Sequence, residues 1–255
     1  MDGALTILHL SDLHLGSQND ASSGAEERRR AVFRASMAVA RLRADLVIVA
    51  GDFFDSARVS DESVDFAVST CESADKPVIL LPGNHDALGP GSPYDRPAFH
   101  GGGPANVHVL RAREGEEYTF PDLDTEIWGR AHHQHENFRP LEGAPKSSRN
   151  GFRWRLGVAH GHLVRGEGDL HRSWKITVPD IESAGFDYLA LGHWDHPFAV
   201  SGTGQQARYS GGLAPAPGMD REYGHALLVT LSSRGISFSQ LTIEDDRAPA
   251  PSPQE

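Results

Sequence analysis

The sequence predicts an α/β fold whose functional side chains sit in loops at the ends of parallel strands. The first 81 residues alternate strand, helix, strand, helix, strand, and the strands are continuous apolar runs, the pattern of parallel strands buried on both faces. Five short polar motifs follow in order: Asp12-Leu13-His14, Gly51-Asp52-Phe53-Phe54-Asp55, Gly83-Asn84-His85-Asp86, His160-Gly161 and Gly192-His193-Trp194-Asp195-His196. Four directly follow an apolar, β-branched-rich run, and Pro82 separates the third from its run. In open α/β sheets, ligands bind in the crevice at such strand ends.

Residues 4–10 read as a buried strand, and 25–43 as a helix with a charged start and apolar positions at Val32, Met37, Val39 and Leu42. A second buried strand covers 45–50. Residues 61–74 form a helix with Ser60 as N-cap, and 77–81 form the third strand. This order implies parallel pairing through crossover helices. Residues 87–105, rich in Gly and Pro, read as irregular loop. Shorter strands follow at 107–110, 117–120 and 125–129, then a polar loop over 130–150. Residues 154–159 are a buried strand ending at His160. A helix at 179–184 and a strand at 187–191 come next, and 197–200, 206–210, 225–231 and 235–243 read as antiparallel strands with Gly turns. No internal repeat or linker is evident. The expectation is one domain over 1–247 with a disordered Pro-rich tail at 248–255.

Composition narrows the function. The chain of 255 residues can bury a large core. Its single cysteine, Cys71, excludes an intramolecular disulfide and is expected as a core thiol in a reducing, cytoplasmic setting. No signal peptide is read at the N-terminus, and no apolar run is long enough to span a bilayer. With 24 Lys and Arg against 35 Asp and Glu the net charge is −11, which argues against a broad basic face for nucleic acid. Two divalent cations would offset that charge locally. Fourteen histidines, several of them in the motifs, suit metal binding.

Hydrolysis at a binuclear centre needs two metals sharing a ligand. Asp12 and His14 alternate along what is read as an extended loop, so their side chains can point the same way. Asp52 is the best bridging carboxylate, Asn84 offers a carbonyl oxygen, and His160 and His193 offer imidazole nitrogens. Hard oxygens mixed with imidazoles suit Mn²⁺, Fe or Zn²⁺. His85 is placed to stabilise the phosphoryl charge or protonate the leaving oxygen. Asp55 and Asp86 are candidates to support the catalytic imidazoles, since a carboxylate on an imidazole fixes its tautomer.

Other polar residues have blander readings. His9 lies inside the first strand and reads as a core residue, and His132, His133 and His135 read as surface loop. Arg28-Arg29-Arg30 reads as a solvated helix face with i,i+4 pairs. His162 follows the fourth motif by two residues and reads as lying off the site, with a position facing it as the alternative. The stretch Arg165–Lys175 reads first as ordinary polar surface, with a phosphate-contacting rim and Trp174 stacking on a base as the alternative. Trp194 either packs against ligands or lines the cleft.

On these motifs the chain resembles the calcineurin-like metallophosphoesterases, and within them the nuclease subunit of bacterial SbcCD-type DNA repair complexes. The segment from Gly51 to Ser60, Ser92-Pro93-Tyr94 and Tyr209-Ser210-Gly211 carry the likeness to that exonuclease branch. The resemblance implies a four-layer αββα sandwich of two mixed sheets flanked by helices. It assigns Asp12, His14 and Asp52 to one metal, Asp52, Asn84, His160 and His193 to the other, and makes His85 the catalytic histidine. It implies a phosphodiester substrate, DNA in this branch, with a nucleotide or other small phosphoester as the alternative and a non-catalytic scaffold as the third reading. Mn²⁺ is the expected metal, with Fe, Zn²⁺ and Mg²⁺ as alternatives. The branch also continues into a DNA-capping domain and a segment that binds a coiled-coil ATPase partner, and neither is read in these residues. In the family's Gly-His-x-His motif the second histidine position is here Asp195. Asp195 is the expected ligand because it shares a face with His193 in an extended loop, and His196 reaching in through a bulge is the alternative.

Overall fold

A computed structural model describes residues 3–17, 24–100, 103–134, 136–146, 151–202, 206–214 and 224–244. The tail and His135 lie outside them. The strands form two mixed six-stranded sheets. In the first sheet β1 (Leu5–Leu10), β2 (Leu46–Ala50), β3 (Val78–Leu81) and β4 (Val107–Val109) run parallel. The antiparallel hairpin β13 (Gly224–Ser232) and β14 (Gly235–Ile243) joins on the far side of β1. The second sheet holds β5 (Glu116–Phe120), β6 (Thr125–Gly129), β7 (Trp154–His160), β10 (Tyr188–Gly192), β11 (Phe198–Ala199) and β12 (Ala207–Tyr209). A small parallel ribbon, β8 (His162–Leu163) with β9 (Lys175–Ile176), is not expected from sequence, because two-residue strands leave no periodicity to read.

Alternation along the second sheet assigns its faces. Leu156, Val158, Tyr188 and Ala190 join Ile7, Ile48 and Leu80 in the main core, while Ala159, Leu189 and Leu191 belong to a second cluster with Trp128, Phe186 and Ile181 and Ala184 of α3 (Val178–Ala184). The two helices α1 (Ala25–Arg43) and α2 (Asp61–Glu72) bury Val32, Phe33, Met37, Val64 and Cys71 in the main core. The arrangement is an α/β fold of two mixed sheets with flanking helices. Helix signals match their sequence cues: Ser60 accepts from the Ser63 N–H, and Thr177 and Asp180 form a capping box.

Four expectations change. Leu42 is 84% exposed, because it follows exposed Ala38 by one turn and so leaves the buried stripe. Arg29 is buried rather than solvated, while Arg30 makes the expected i,i+4 pair with Glu26 but is half-buried between it and Glu62. The 87–105 stretch contains two 3-10 turns, Pro93–Asp95 and Pro97–Phe99, each started by proline. Finally, β12 is antiparallel to β11 but parallel to β10, since it folds back from β11 to lie between the two.

Candidate metal centre

The loops after β1, β2, β3, β7 and β10 converge at one edge of the sandwich. They are not extended. Asp12, His14, Asp52 and His193 all have positive φ, at 54°, 51°, 50° and 110°. Left-handed backbone at non-glycine residues persists only where the surroundings enforce it. Here the first loop is laced onto the second: Asp12 N–H donates to Gly51 O at 3.1 Å, Leu13 and His14 N–H to Asp52 O at 3.0 and 3.1 Å, and Leu15 N–H to Phe53 O at 3.0 Å. The expectation of alternating side chains along an extended strand is therefore replaced by side chains aimed through tight turns. Strand alternation does not align Asp195 with His193 either, because the loop that holds them turns at His193.

Three motif glycines exist because nothing larger fits. A Cβ on Gly192 would overlap the Ala50 carbonyl oxygen, one on Gly51 the His160 ring, and one on Gly83 the Asp52 carboxylate. The two sheets thus meet backbone to backbone beneath His160.

Two donor clusters result, His14 with Asp52 and His85, and Asp12 with Asp52 and His160. Both contain Asp52, which is buried with a side chain 3% exposed. Its Oδ1 accepts the His85 N–H at 2.9 Å, and its Oδ2 lies 3.2 Å from His160 Nε2. Asn84 Oδ1 lies 3.0 Å from the same nitrogen. His160 Nδ1–H donates to Ala50 O at 2.9 Å, which aims Nε2 at these two acceptors. Two oxygens facing a ring nitrogen call for a positive charge between them, a proton or a metal cation. Burial would lower the His160 pKa, but Asp52 and Asp12 raise it to about 9. Burial would raise Asp52, but His160, His14 and His85 hold it below the ordinary carboxylate range. Burial keeps Asp12 above its ordinary value, with repulsion from Asp52 adding to it against the attraction of His160. The donor set fits divalent cations.

The remaining expected residues frame this core. The His193 N–H donates to Asp12 Oδ2 at 3.0 Å, and its ring lies 5.3 Å from that of His160. His14 packs edge-to-face on His85 at 4.7 Å, with its Nδ1 3.7 Å from Asp55 Oδ1. The Asp55 carbonyl accepts from His85 Nδ1–H at 3.1 Å, and the His85 ring is exposed. Asp195 is half-buried and His196 exposed, and neither belongs to the two donor clusters.

Asp86 touches the centre differently from the expectation. Its buried carboxylate accepts N–H bonds from Gly83 at 2.7 Å, Phe53 at 2.9 Å and Phe54 at 3.0 Å, and the Tyr94 hydroxyl at 2.6 Å. It clamps the second loop to the third rather than orienting an imidazole. Tyr94 is fully buried, and its role is not legible in the sequence beyond its place in Ser92-Pro93-Tyr94. His132 is also corrected. It is buried, and its Nε2–H donates to the His160 carbonyl at 2.8 Å. His133 is half-buried, bonded to Arg111 O. His9, as expected, is in the core, with Nδ1 2.8 Å from the Tyr188 hydroxyl. His162 does face the site: it packs 5.8 Å from His193 and 4.9 Å from Trp194.

The model of the calcineurin-like phosphoesterases matches residues 5–212. The chain belongs to that family. Its members are binuclear metal-dependent phosphoester hydrolases, and the two donor clusters supply candidate ligands for such a centre. An SbcCD nuclease subunit from Staphylococcus epidermidis is 24% identical over 239 residues, covering 82% of this chain and 61% of its own length. The uncharacterized metallophosphoesterase YhaO of Bacillus subtilis is 28% identical over 237 residues, covering 80% and 54%. The chain thus spans a little over half the length of these relatives. Among solved structures, a dimetal phosphatase from Danio rerio superposes with a TM-score of 0.54 at 10% identity, covering 97% of this chain and 98% of that one, and so shares the fold.

Proposed function

We propose that this calcineurin-like phosphoesterase is a phosphodiesterase acting on nucleic acid at a Mn²⁺-loaded binuclear centre. The observation that carries the reading is the single buried carboxylate, Asp52, common to two donor clusters. Asp12, His14 and Asp52, with Asp195, would hold one ion, and Asp52, Asn84, His160 and His193 the other. Two bound ions supply charge neutralisation at the phosphoryl group and an activated water at neutral pH. The protein's own residues do the rest. Ala50 and His132 fix the His160 ring and backbone, and Asp12 seats the His193 loop. His85, whose Nδ1–H is held by the Asp55 carbonyl, would as the imidazolium deliver the Nε2 proton to the leaving oxygen and be left neutral.

Nuclease action and a partner subunit are supported by the likeness to the Staphylococcus epidermidis nuclease subunit, and DNA as substrate, exonuclease action and an ATPase as that partner by the exonuclease-branch motifs. The net charge of −11 favours a second reading, hydrolysis of a nucleotide or small phosphodiester. A cytoplasmic setting accords with the buried free thiol of Cys71, and among the described residues no helix is long and apolar enough to cross a membrane. The test is hydrolysis by Mn²⁺-supplemented protein of labelled single- and double-stranded DNA beside a small phosphodiester, with His85→Ala as blank. Cleavage of DNA lost in the variant supports the nuclease. Cleavage of the small ester alone moves the substrate to nucleotides, and cleavage of neither by metal-loaded protein overturns the phosphodiesterase.

A further inference from the structure

The chain between β8 and β9 runs along the rim of the metal centre, and the structure sorts its basic and aromatic residues. Arg165 turns aside, with its guanidinium 4.5 Å from the centre of the Trp194 ring and 4.3 Å from that of Phe198. Lys175 donates to the Leu170 carbonyl at 3.0 Å. His171, Arg172, Ser173 and Trp174 remain, and with His162 and His193 they line a cleft of about 340 Å³. His193 is thus a wall shared by the cleft and the metal centre.

Trp174 is held in place. Its φ is 51°, an unusual conformation for a bulky residue. Its N–H donates to Asn137 Oδ1 at 3.0 Å, its indole Nε1–H to Glu136 O at 2.7 Å, and its ring packs against His132 at 5.0 Å. The half-buried indole therefore lines the cleft as a fixed surface, 6.4 Å from the His193 ring. Arg172 differs from its neighbours. Of the two arginines in this stretch, Arg165 is engaged with the Trp194 and Phe198 rings, whereas the exposed Arg172 lines the cleft and has no ion-pair partner among the described residues. An unpaired guanidinium beside a metal centre, in a chain of net charge −11, is suited to a phosphate.

Resting on the phosphodiesterase reading of the adjoining centre, we propose that this cleft is a nucleoside subsite, in which a base stacks on Trp174 and the neighbouring phosphate pairs with Arg172. The cleft volume falls at the small end of small-molecule sites, enough for one nucleoside. Recognition through the π-face tolerates any base, so the substrate class is a nucleotide diester read without sequence preference.

Equilibrium binding to the Mn²⁺-loaded protein tests this without turnover. Deoxyadenosine 5′-monophosphate should bind on the order of tenfold more tightly than deoxyribose 5-phosphate, a difference of the size stacking supplies. Trp174→Leu should abolish that preference, and Trp174→Tyr should retain most of it. Arg172→Ala should weaken a dinucleotide more than a mononucleotide. Equal affinity of the parent for both probes, or equal weakening of both by Trp174→Leu, overturns the subsite. Hydrolysis of methyl 4-nitrophenyl phosphate, which lacks a base, reports separately on the centre. A parent that cleaves it but shows no nucleotide preference loses the subsite and keeps the phosphodiesterase. A parent that prefers the nucleotide but cleaves no diester keeps the subsite and loses the phosphodiesterase.

Discussion

The Tyr94 hydroxyl donates to Asp86 Oδ2 at 2.6 Å and completes a set of four donors around one fully buried carboxylate. Removing it in Tyr94→Phe leaves three backbone donors on a charge that burial and the nearby Asp52 already disfavour. The expected loss is about 1–3 kcal/mol of stability. Because the clamp joins the loops of Asp52 and Asn84, Mn²⁺ affinity should fall as well. Urea denaturation and metal titration check the two effects. Unchanged Mn²⁺ affinity would confine Tyr94 to a structural role.

Gly192 and Gly51 press the two sheets together under His160. Gly192→Ala would drive a methyl into the Ala50 carbonyl, whose oxygen also holds His160 Nδ1. Overpacking of this kind costs ~1–3 kcal/mol or more, and here the strain falls on a proposed ligand. The variant should lose bound metal well before it loses the fold, as read by metal content against thermal melting.

Acid should destabilise the protein in part through His9. Burial pushes its pKa down to about 3, so the folded state keeps the ring neutral while the unfolded chain takes up a proton near the ordinary value of 6.5. Its folded pKa is depressed, so its contribution is fully present above pH ~6.5 and falls away as pH drops toward 3, by at most ~1.4 kcal/mol per pH unit. His9→Asn, which can still meet the Tyr188 hydroxyl, should flatten the dependence of unfolding free energy on pH between 6 and 4. A slope equal to the parent's would show that other groups carry it.

The last motif gives a ligand count. Asp195→Ala should reduce the Mn²⁺ bound per chain from two to one, and His196→Ala should leave it at two, as measured by metal analysis after dialysis. The reverse pattern would assign the position to His196.

Much of this is legible in the residues alone. Helices α1 and α2 begin where the residues say they should, because charge placement and the Ser60 cap act locally. The buried strands announce themselves as runs such as Leu-Val-Ile-Val-Ala. The convergence of Asp12, Asp52 and His160 follows from motifs placed at strand ends. What stays hidden depends on contacts made across the chain. The left-handed turns at Asp12, His14 and Asp52 are imposed by backbone bonds between different loops. His132 looks like a polar loop residue until the His160 carbonyl is seen to face it, and Asp86 looks like a partner for an imidazole until Tyr94 and three amides surround it.

The placement of β1 has a kinetic consequence. This strand lies between β2, which follows it closely in the chain, and β13, where Leu5 pairs with Leu231. Pairing with β2 can form early, but pairing with β13 requires closure of a loop that includes both sheets. Such high contact order slows folding, since entropy must be lost before the pairing rewards it. A nascent chain that has already exposed Asp12, Asp52 and Asn84 would still lack a settled cradle for them, and so would gain little protection from metal until the late hairpin arrives.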